Sequence, residues 1–253
     1  MYLVPMKVHL FVPCYVDQLY PRVAVATLRL LEHYGCEVVF PKGQACCGQP
    51  MANAGMEDAA VGTYRNTVEA FKDAEYIVCP SGSCTHHVKH HYELLEQTTD
   101  VLAVRSRIFE LCEFLHDVLK VASVPGRTSA RVGLHQSCHG LRGLRLGPGS
   151  ERRLSAPNKV MRLLEKVEGI HLTAPERPDE CCGFGGTFAV AQAALSVRMG
   201  EDKVADQVGA GAEVITSTDM SCLMHLEGVV RRRGTGVRVM HVAEVLMGGG
   251  EGF

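Results

Sequence analysis

The sequence has no surplus charge of either sign. Lys and Arg total 26 against 28 Asp and Glu, a formal net charge of -2, so nothing draws the chain electrostatically to nucleic acid or to an anionic membrane. It also lacks a membrane-length apolar run. The N-terminal stretch MYLVPMKVHLFVPCY is interrupted by Lys7 and Pro13 and carries neither a basic leader nor a small-residue cleavage site. That argues against membrane insertion and for a buried first strand in a cytoplasmic protein. The glycine-rich loop GFGGT at 183–187 lacks both the Lys-Ser/Thr ending of a phosphate loop and the dinucleotide-binding spacing, and no flavin or nicotinamide motif occurs. The close Cys-x2-Cys ladder of ferredoxins is missing too.

What the chain does have is 46% hydrophobic residues, ample for a packed core, and eleven cysteines. The count is odd and high for a chain without a secretion signal. In a reducing compartment such a chain uses its thiolates for metal or redox chemistry more readily than for disulfides. Cys46 and Cys47 are adjacent, as are Cys181 and Cys182. A disulfide between neighbours closes a strained ring, so both sulfurs of each doublet must look elsewhere for partners.

The chain repeats itself. VHLFVPCY reads as a strand ending at Cys14, VAVATLRLLEHYGCEVVF as an amphipathic helix closed by Gly35 and followed by a strand, and CCGQP as a turn. A helical pattern over 56–73 leads to the strand and turn YIVCPSGSC and to a further helix, THHVKHHYELLEQ. The second half offers RVGLHQSC, NKVMRLLEKVEG, ECCGFGG and AEVITSTDMSCLMH in the same order. Strands alternating with helices predict an α/β fold of two tandem homologous domains, each with a mainly parallel sheet. The small, polar linker KVASVPGRTSA places the boundary near residue 122, giving domains 1–122 and 123–253.

Aligned by eye, Cys14 matches Cys138, the doublets match each other, Gly48 matches Gly183, Cys84 matches Cys222, and Ser217 stands where Cys79 does. FELCEFL closes the first half as MHVAEVL closes the second. The first half thus gathers Cys14, Cys46, Cys47, Cys79 and Cys84, and the second gathers Cys138, Cys181, Cys182 and Cys222. These nine sit at strand-to-turn junctions, which share one end of a parallel sheet and can bring distant thiolates to a single polynuclear iron–sulfur site. Gly48, Gly183, Gly185 and Gly186 allow close backbone approach and N–H donation to cluster sulfurs.

Two copies of a cysteine-doublet-glycine module resemble the CCG cysteine-rich domain found in heterodisulfide reductase, in the iron–sulfur subunit of glycolate oxidase and in anaerobic glycerol-3-phosphate dehydrogenase. The segments VPCYVDQLYP, ACCGQPMANAG, CPSGSCTHHV, HQSCHGLRG, DECCGFGGTFAV and SCLMH look most like the lactate utilisation protein A family, over nearly the whole chain. The resemblance implies an iron–sulfur electron-transfer component of a complex that oxidises L-lactate to pyruvate with partner iron–sulfur and oxidoreductase subunits. It implies 4Fe-4S clusters, a noncubane one in the first module, held by Cys14, Cys46, Cys47, Cys79 and Cys84 and by Cys138, Cys181, Cys182 and Cys222. The family's final Cys-x2-Cys pair is here Cys79-x4-Cys84 and Cys222-x2-His225. The second departure implies a histidine ligand, or a three-iron or labile four-iron cluster. Rival readings are a cluster-based disulfide reductase and a structural zinc or thiol-sensor protein.

His87 follows Cys84 by three residues, as His225 follows Cys222, so both are candidate ligands or hydrogen-bond donors to cluster sulfur. His86, His87, His90 and His91 form two i, i+4 pairs on one helix, and His135 and His139 bracket Cys138; these are weighed as metal donors against packing. Cys36 and Cys112 have no cysteine counterpart in the other repeat and are assigned to packing. The run RRRG at 231–234 reads as a solvated loop, with docking to an acidic partner as the weaker option.

Overall fold

A computed structural model describes residues 5–152 and 157–249; the first four residues of the expected N-terminal strand segment lie outside them. The first half contains β1 (Lys7–Leu10), α1 (Cys14–Leu19), α2 (Pro21–His33), β2 (Glu37–Val39), α3 (Gln49–Asn53), α4 (Glu57–Phe71), β3 (Tyr76–Cys79), α5 (Gly82–His91), α6 (Thr99–Arg107), β4 (Ile108–Glu110) and α7 (Leu111–Glu113). The second contains β5 (Arg131–Leu134), α8 (Lys159–Leu164), β6 (His171–Leu172), α9 (Phe188–Ala191), α10 (Ala193–Gly209), β7 (Val214–Ser217), α11 (Met220–Arg233), β8 (Arg238–His241) and α12 (Val242–Met247).

Each half folds into a four-stranded sheet with every strand parallel, in the orders β2-β1-β3-β4 and β6-β5-β7-β8. The fold is therefore α/β and internally repeated, as the alternating pattern predicts. The central strands are buried on both faces: Val8, Ile77 and Val78 in one sheet and Val132, Val214 and Ile215 in the other are at most 1% exposed, which is why they read as short unbroken apolar runs. Strand order reverses beside β1 and β5, so the loops after them open a crevice at the carboxyl ends of the strands, where ligands bind in such sheets.

The halves share one core. Val16, Val23 and Leu30 of the first cluster with Leu223, Leu226, Val242 and Leu246 of the second, so α12, last in the chain, packs on α2, near its start. Arg22 reaches Glu244 at 2.7 Å and Tyr20 donates to Glu227 at 2.9 Å across the same seam.

The arginine run is not a loop. Arg231–Arg233 form the last turn of α11, which ends at Gly234 with φ +63°. Leu223, Leu226, Val229 and Val230 keep a buried stripe at helical spacing up to that turn, and three cations suit the negative end of a helix. Arg231 pairs with Glu227, and Arg233 with Glu201. Among the described residues no helix is long and apolar enough to cross a membrane.

Candidate metal centre

Cys14 lies one residue past Pro13 at the end of the β1 segment and opens α1. The doublet Cys46–Cys47 sits in the loop before α3, and Gly48 turns the chain with φ +88°. Cys79 ends β3, and Cys84 lies in the first turn of α5, whose cap Ser81 accepts from the Cys84 N–H. In the second half Cys138 follows β5, Cys181–Cys182 precede Gly183 (also φ +88°), and Cys222 lies in the first turn of α11.

These elements bring the sulfurs together. Cys14 Sγ is 3.7 Å from Cys46 Sγ, and Cys47 Sγ is 3.5 Å from Cys84 Sγ, too far for disulfides, whose sulfurs lie about 2.05 Å apart. All eleven cysteines are free. Eight of the nine expected ligands line one cavity of about 370 Å³ together with Asp219 and His139; the ninth, Cys79, is fully buried behind it and interacts with Cys84. Cys36 and Cys112 are buried in the core away from this cavity.

The electrostatics repeat from half to half. Cys46 is pulled down to about 2 by the thiols of Cys14 and Cys47 donating to its sulfur, aided by the Gly48 N–H at 3.4 Å. Cys181 falls to about 2 through Cys138, Cys182 and the Gly183 N–H, again at 3.4 Å. The donors Cys14 and Cys138 rise correspondingly. Cys84 is held low by Cys47 and Cys79, while contacts with the Cys46 and Cys84 sulfurs, then burial, push Cys47 up, and burial with the Cys84 contact pushes Cys79 up. In each half a sulfur favoured as thiolate, ringed by further thiols and backbone N–H donors, belongs to a soft, multidentate donor set. Its chemistry fits a polynuclear iron–sulfur group.

The histidines fall into two classes. His87 Nε2 lies 3.0 Å from the Tyr64 hydroxyl on α4, and His225 Nε2 lies 3.2 Å from the Ser196 carbonyl on α10. The two equivalent histidines thus tie α5 to α4 and α11 to α10, the long helix that lies second after each doublet. The His86 ring lies tilted against His90 and His139, with ring centroids 4.6 and 5.2 Å away, and His139 meets Gln49 of the first half at 3.4 Å. His135 instead has a ring nitrogen within 4.8 Å of Cys182 and Cys222 sulfurs.

One buried residue at the cavity escaped the sequence reading. Asp219, 1% exposed, accepts hydrogen bonds across the halves from Ser81 Oγ at 2.8 Å, Ser83 Oγ at 2.7 Å and Ser83 N–H at 3.0 Å. Asp219 and Ser81 occupy the same repeat position, just before the helix that carries the last cysteine, but only the Ser81 side chain caps its own helix. A buried acid at a repeat position held by serine in the other copy was the available signal. Thr187 Oγ1 donates to Asn53 O at 3.3 Å, linking the two doublet loops as well.

The CCG cysteine-rich domain model matches residues 8–89 and 132–227, the two stretches that carry all nine cysteines. Lactate utilization protein A of Halalkalibacterium halodurans is 40% identical over 246 residues, covering 95% of this chain and 96% of that protein. The Bacillus subtilis protein of the same name is 39% identical over 245 residues, covering 95% and 99%. A solved hypothetical protein from Helicobacter pylori, 11% identical, superposes with a TM-score of 0.63 over 99% of this chain and 50% of its own length, so this chain spans half of that structure and shares its fold. With the cysteine modules, their order and their relatives in agreement, the chain belongs to the lactate utilization protein A family of CCG cysteine-rich proteins.

Proposed function

We propose that this chain is an iron–sulfur electron-transfer component of lactate utilisation, working in the cytoplasm with partner oxidoreductase subunits that oxidise L-lactate to pyruvate. Its units are residues 1–122 and 123–253, and its ligand sets are Cys14, Cys46, Cys47, Cys79 and Cys84, and Cys138, Cys181, Cys182 and Cys222. The observation that carries this reading is the convergence of two uncross-linked thiol groups on one cavity. The relatives named for lactate utilization support the substrate class.

Oxidation of a 2-hydroxy acid to a 2-oxo acid releases two electrons and two protons, and an iron–sulfur group, when bound, supplies one-electron carriage. The chain's own residues hold and shield that group. Neighbouring thiols and the Gly48 and Gly183 N–H donors hold the Cys46 and Cys181 sulfurs well below the usual thiol range, and Cys47, Cys79 and Cys84 are at most 8% exposed. Asp219 pins the first half's Ser81–Ser83 turn to the second half and fixes the separation of the two cysteine groups.

Anaerobic purification of the full chain, followed by iron, zinc and acid-labile sulfide analysis and EPR of the dithionite-reduced protein, tests this. Iron with matching sulfide and a reducible signal is expected. Zinc without sulfide overturns the proposal in favour of a structural site, and thiol–disulfide turnover by the chain alone favours the reductase reading.

A further inference from the structure

The two cysteine groups are unequal. Ser217 occupies the position of Cys79, so the second half has four thiols where the first has five. The structure shows that Ser217 does not substitute for the missing sulfur in kind: its Oγ accepts from the Asp219 N–H at 3.4 Å and serves the turn. The sequence offers His225 as replacement, but its Nε2 faces the Ser196 carbonyl at 3.2 Å, matching the way His87 is engaged by Tyr64 in the other half, where five thiols are present.

A second exchange between the halves lies on the neighbouring strand. Three residues before Cys14 stands Phe11, fully buried and packed at a tilt against Phe71 with centroids 5.3 Å apart. Three residues before Cys138, at the same repeat position, stands His135, 1% exposed. Its backbone N–H donates to the Thr216 carbonyl at 2.7 Å, one residue before Ser217, so the segment after β5 is locked beside the end of β7. Neither Nδ1 nor Nε2 of His135 has a hydrogen-bond partner among the described residues. An imidazole buried without a partner costs stability unless something else engages it. A ring nitrogen of His135 and the sulfurs of Cys182 and Cys222 all lie within 4.8 Å of one another. Apolar Phe11 beside a complete thiol set, and an unpartnered His135 beside an incomplete one, is the pattern of a donor moved from one strand to the next.

We propose that His135, rather than His225, completes the donor set of the second half, ligating through its imidazole the iron–sulfur group held by Cys138, Cys181, Cys182 and Cys222. The proposal rests on the iron–sulfur reading above. Exchange of one anionic thiolate for a neutral imidazole leaves the second centre less negative, so it is the more easily reduced of the two, as histidine-ligated centres are relative to all-cysteine ones.

The test uses the full chain, purified anaerobically with histidine labelled in 15N and examined by pulsed EPR after graded reduction. A strong hyperfine coupling from a directly bound imidazole nitrogen is expected, retained in His225→Ala and His87→Ala and lost in His135→Phe, which copies the first half and keeps the site apolar. The unchanged signal of the first centre reports that the variant is folded. His135→Cys is expected to keep the second centre's iron, lose the nitrogen coupling and shift that centre to lower potential in a redox titration. If His135→Phe and His135→Cys also lose the first signal, the coupling in the other histidine variants decides: retained in His225→Ala, His87→Ala and His139→Ala it supports His135, and lost in any one of them it overturns the assignment. Iron–sulfur signals without any strong histidine coupling, or a coupling lost in His225→Ala instead, overturn the ligand assignment and leave the iron–sulfur reading intact. A chain that yields no iron and no sulfide overturns that reading itself.

Discussion

The two halves of this molecule share a scaffold and differ in what hangs from it. Strand order, parallel pairing, doublet turn, the +88° glycine after each doublet and a first doublet thiol held below its usual range are common to both. Of the matched positions that differ, five bear on the site or its frame: Phe11 and His135, Cys79 and Ser217, Ser81 and Asp219, Glu110 and His241, Cys112 and Ala243. The common features are those that backbone geometry demands, since only glycine adopts the left-handed turn without strain and only a parallel sheet collects the loops at one end. The differences are all side chains at strand ends or first helical turns. A repeated scaffold lets donors and caps be exchanged one at a time, and the halves can then hold similar groups in unlike surroundings.

The largest effect should come from breaking one doublet at a time. Cys46→Ser is expected to remove the first centre and leave the second, and Cys181→Ser the reverse, each with a loss of roughly half the bound iron by metal analysis and one of two EPR signals. Loss of both signals from a single substitution would mean that the cysteines serve one shared centre and that the division into halves fails.

Next in size is the cross-link. Ser81 and Asp219 both precede a first-turn cysteine, but Ser81 caps its own helix while Asp219 accepts three hydrogen bonds from the other half. Asp219→Ala leaves two buried hydroxyls and an N–H without their acceptor and should cost about 2–4 kcal/mol. Ser81→Ala loses a cap and one partner and should cost about 1 kcal/mol. Thermal unfolding of the two variants checks the order; equal losses would show that the seam does not depend on Asp219.

Much of this was legible. The doublets, the repeat and the nine cysteines follow from spacing alone, because a strand-to-turn junction carries its signature in a few consecutive residues. What was not legible depends on distance in sequence. His135 is one of several histidines until Cys182 and Cys222, 47 and 87 residues later, fold beside it; the exchange of Phe11 for His135 alongside that of Cys79 for Ser217 was the readable hint. Arg231–Arg233 read as a loop because their charges mask the Leu223, Leu226, Val230 stripe that continues the helix. Strand β6 has only two residues, too short for any period to show.

The third comparison is one of pH. Glu110 and His241 end equivalent strands and cap equivalent helices, α7 and α12. Burial pushes Glu110 up to about 8 and His241 down to about 4. Between pH 4.5 and 8 folded Glu110 keeps a proton that the unfolded chain has released, so its contribution falls as pH rises, by about 1.4 kcal/mol per unit. Between pH 6.5 and 4 unfolded His241 binds a proton that the folded chain refuses, so its contribution falls as pH drops. From pH 6.5 to 8 Glu110 titrates between the two states and His241 does not, so Glu110 alone subtracts about 2 kcal/mol over the window, against the opposite contribution of the thiols held low in each half. Glu110→Gln should therefore shift the slope of stability against pH upward by that amount in thermal scans and His241→Asn should not; a slope unchanged by Glu110→Gln would show that Glu110 does not titrate there.

The smallest effect tests the edge of the site. Cys112 is fully buried in the shared core, and burial holds its thiol in the neutral form. Its repeat partner Ala243, also fully buried, fills the same place on α12. The second half thus already performs the substitution, and packing there closes around a methyl group. Cys112→Ala removes one sulfur from a core whose fold tolerates its absence and should cost about 1 kcal/mol. Cys112→Ser, although nearly isosteric, buries a hydroxyl among apolar side chains and should cost more, about 1–3 kcal/mol. Iron content should stay unchanged in both. A loss of iron in Cys112→Ala would make the tenth cysteine part of the centre. The halves would then differ in thiol number by two, and Ala243 would mark a second deleted donor rather than a repacked core.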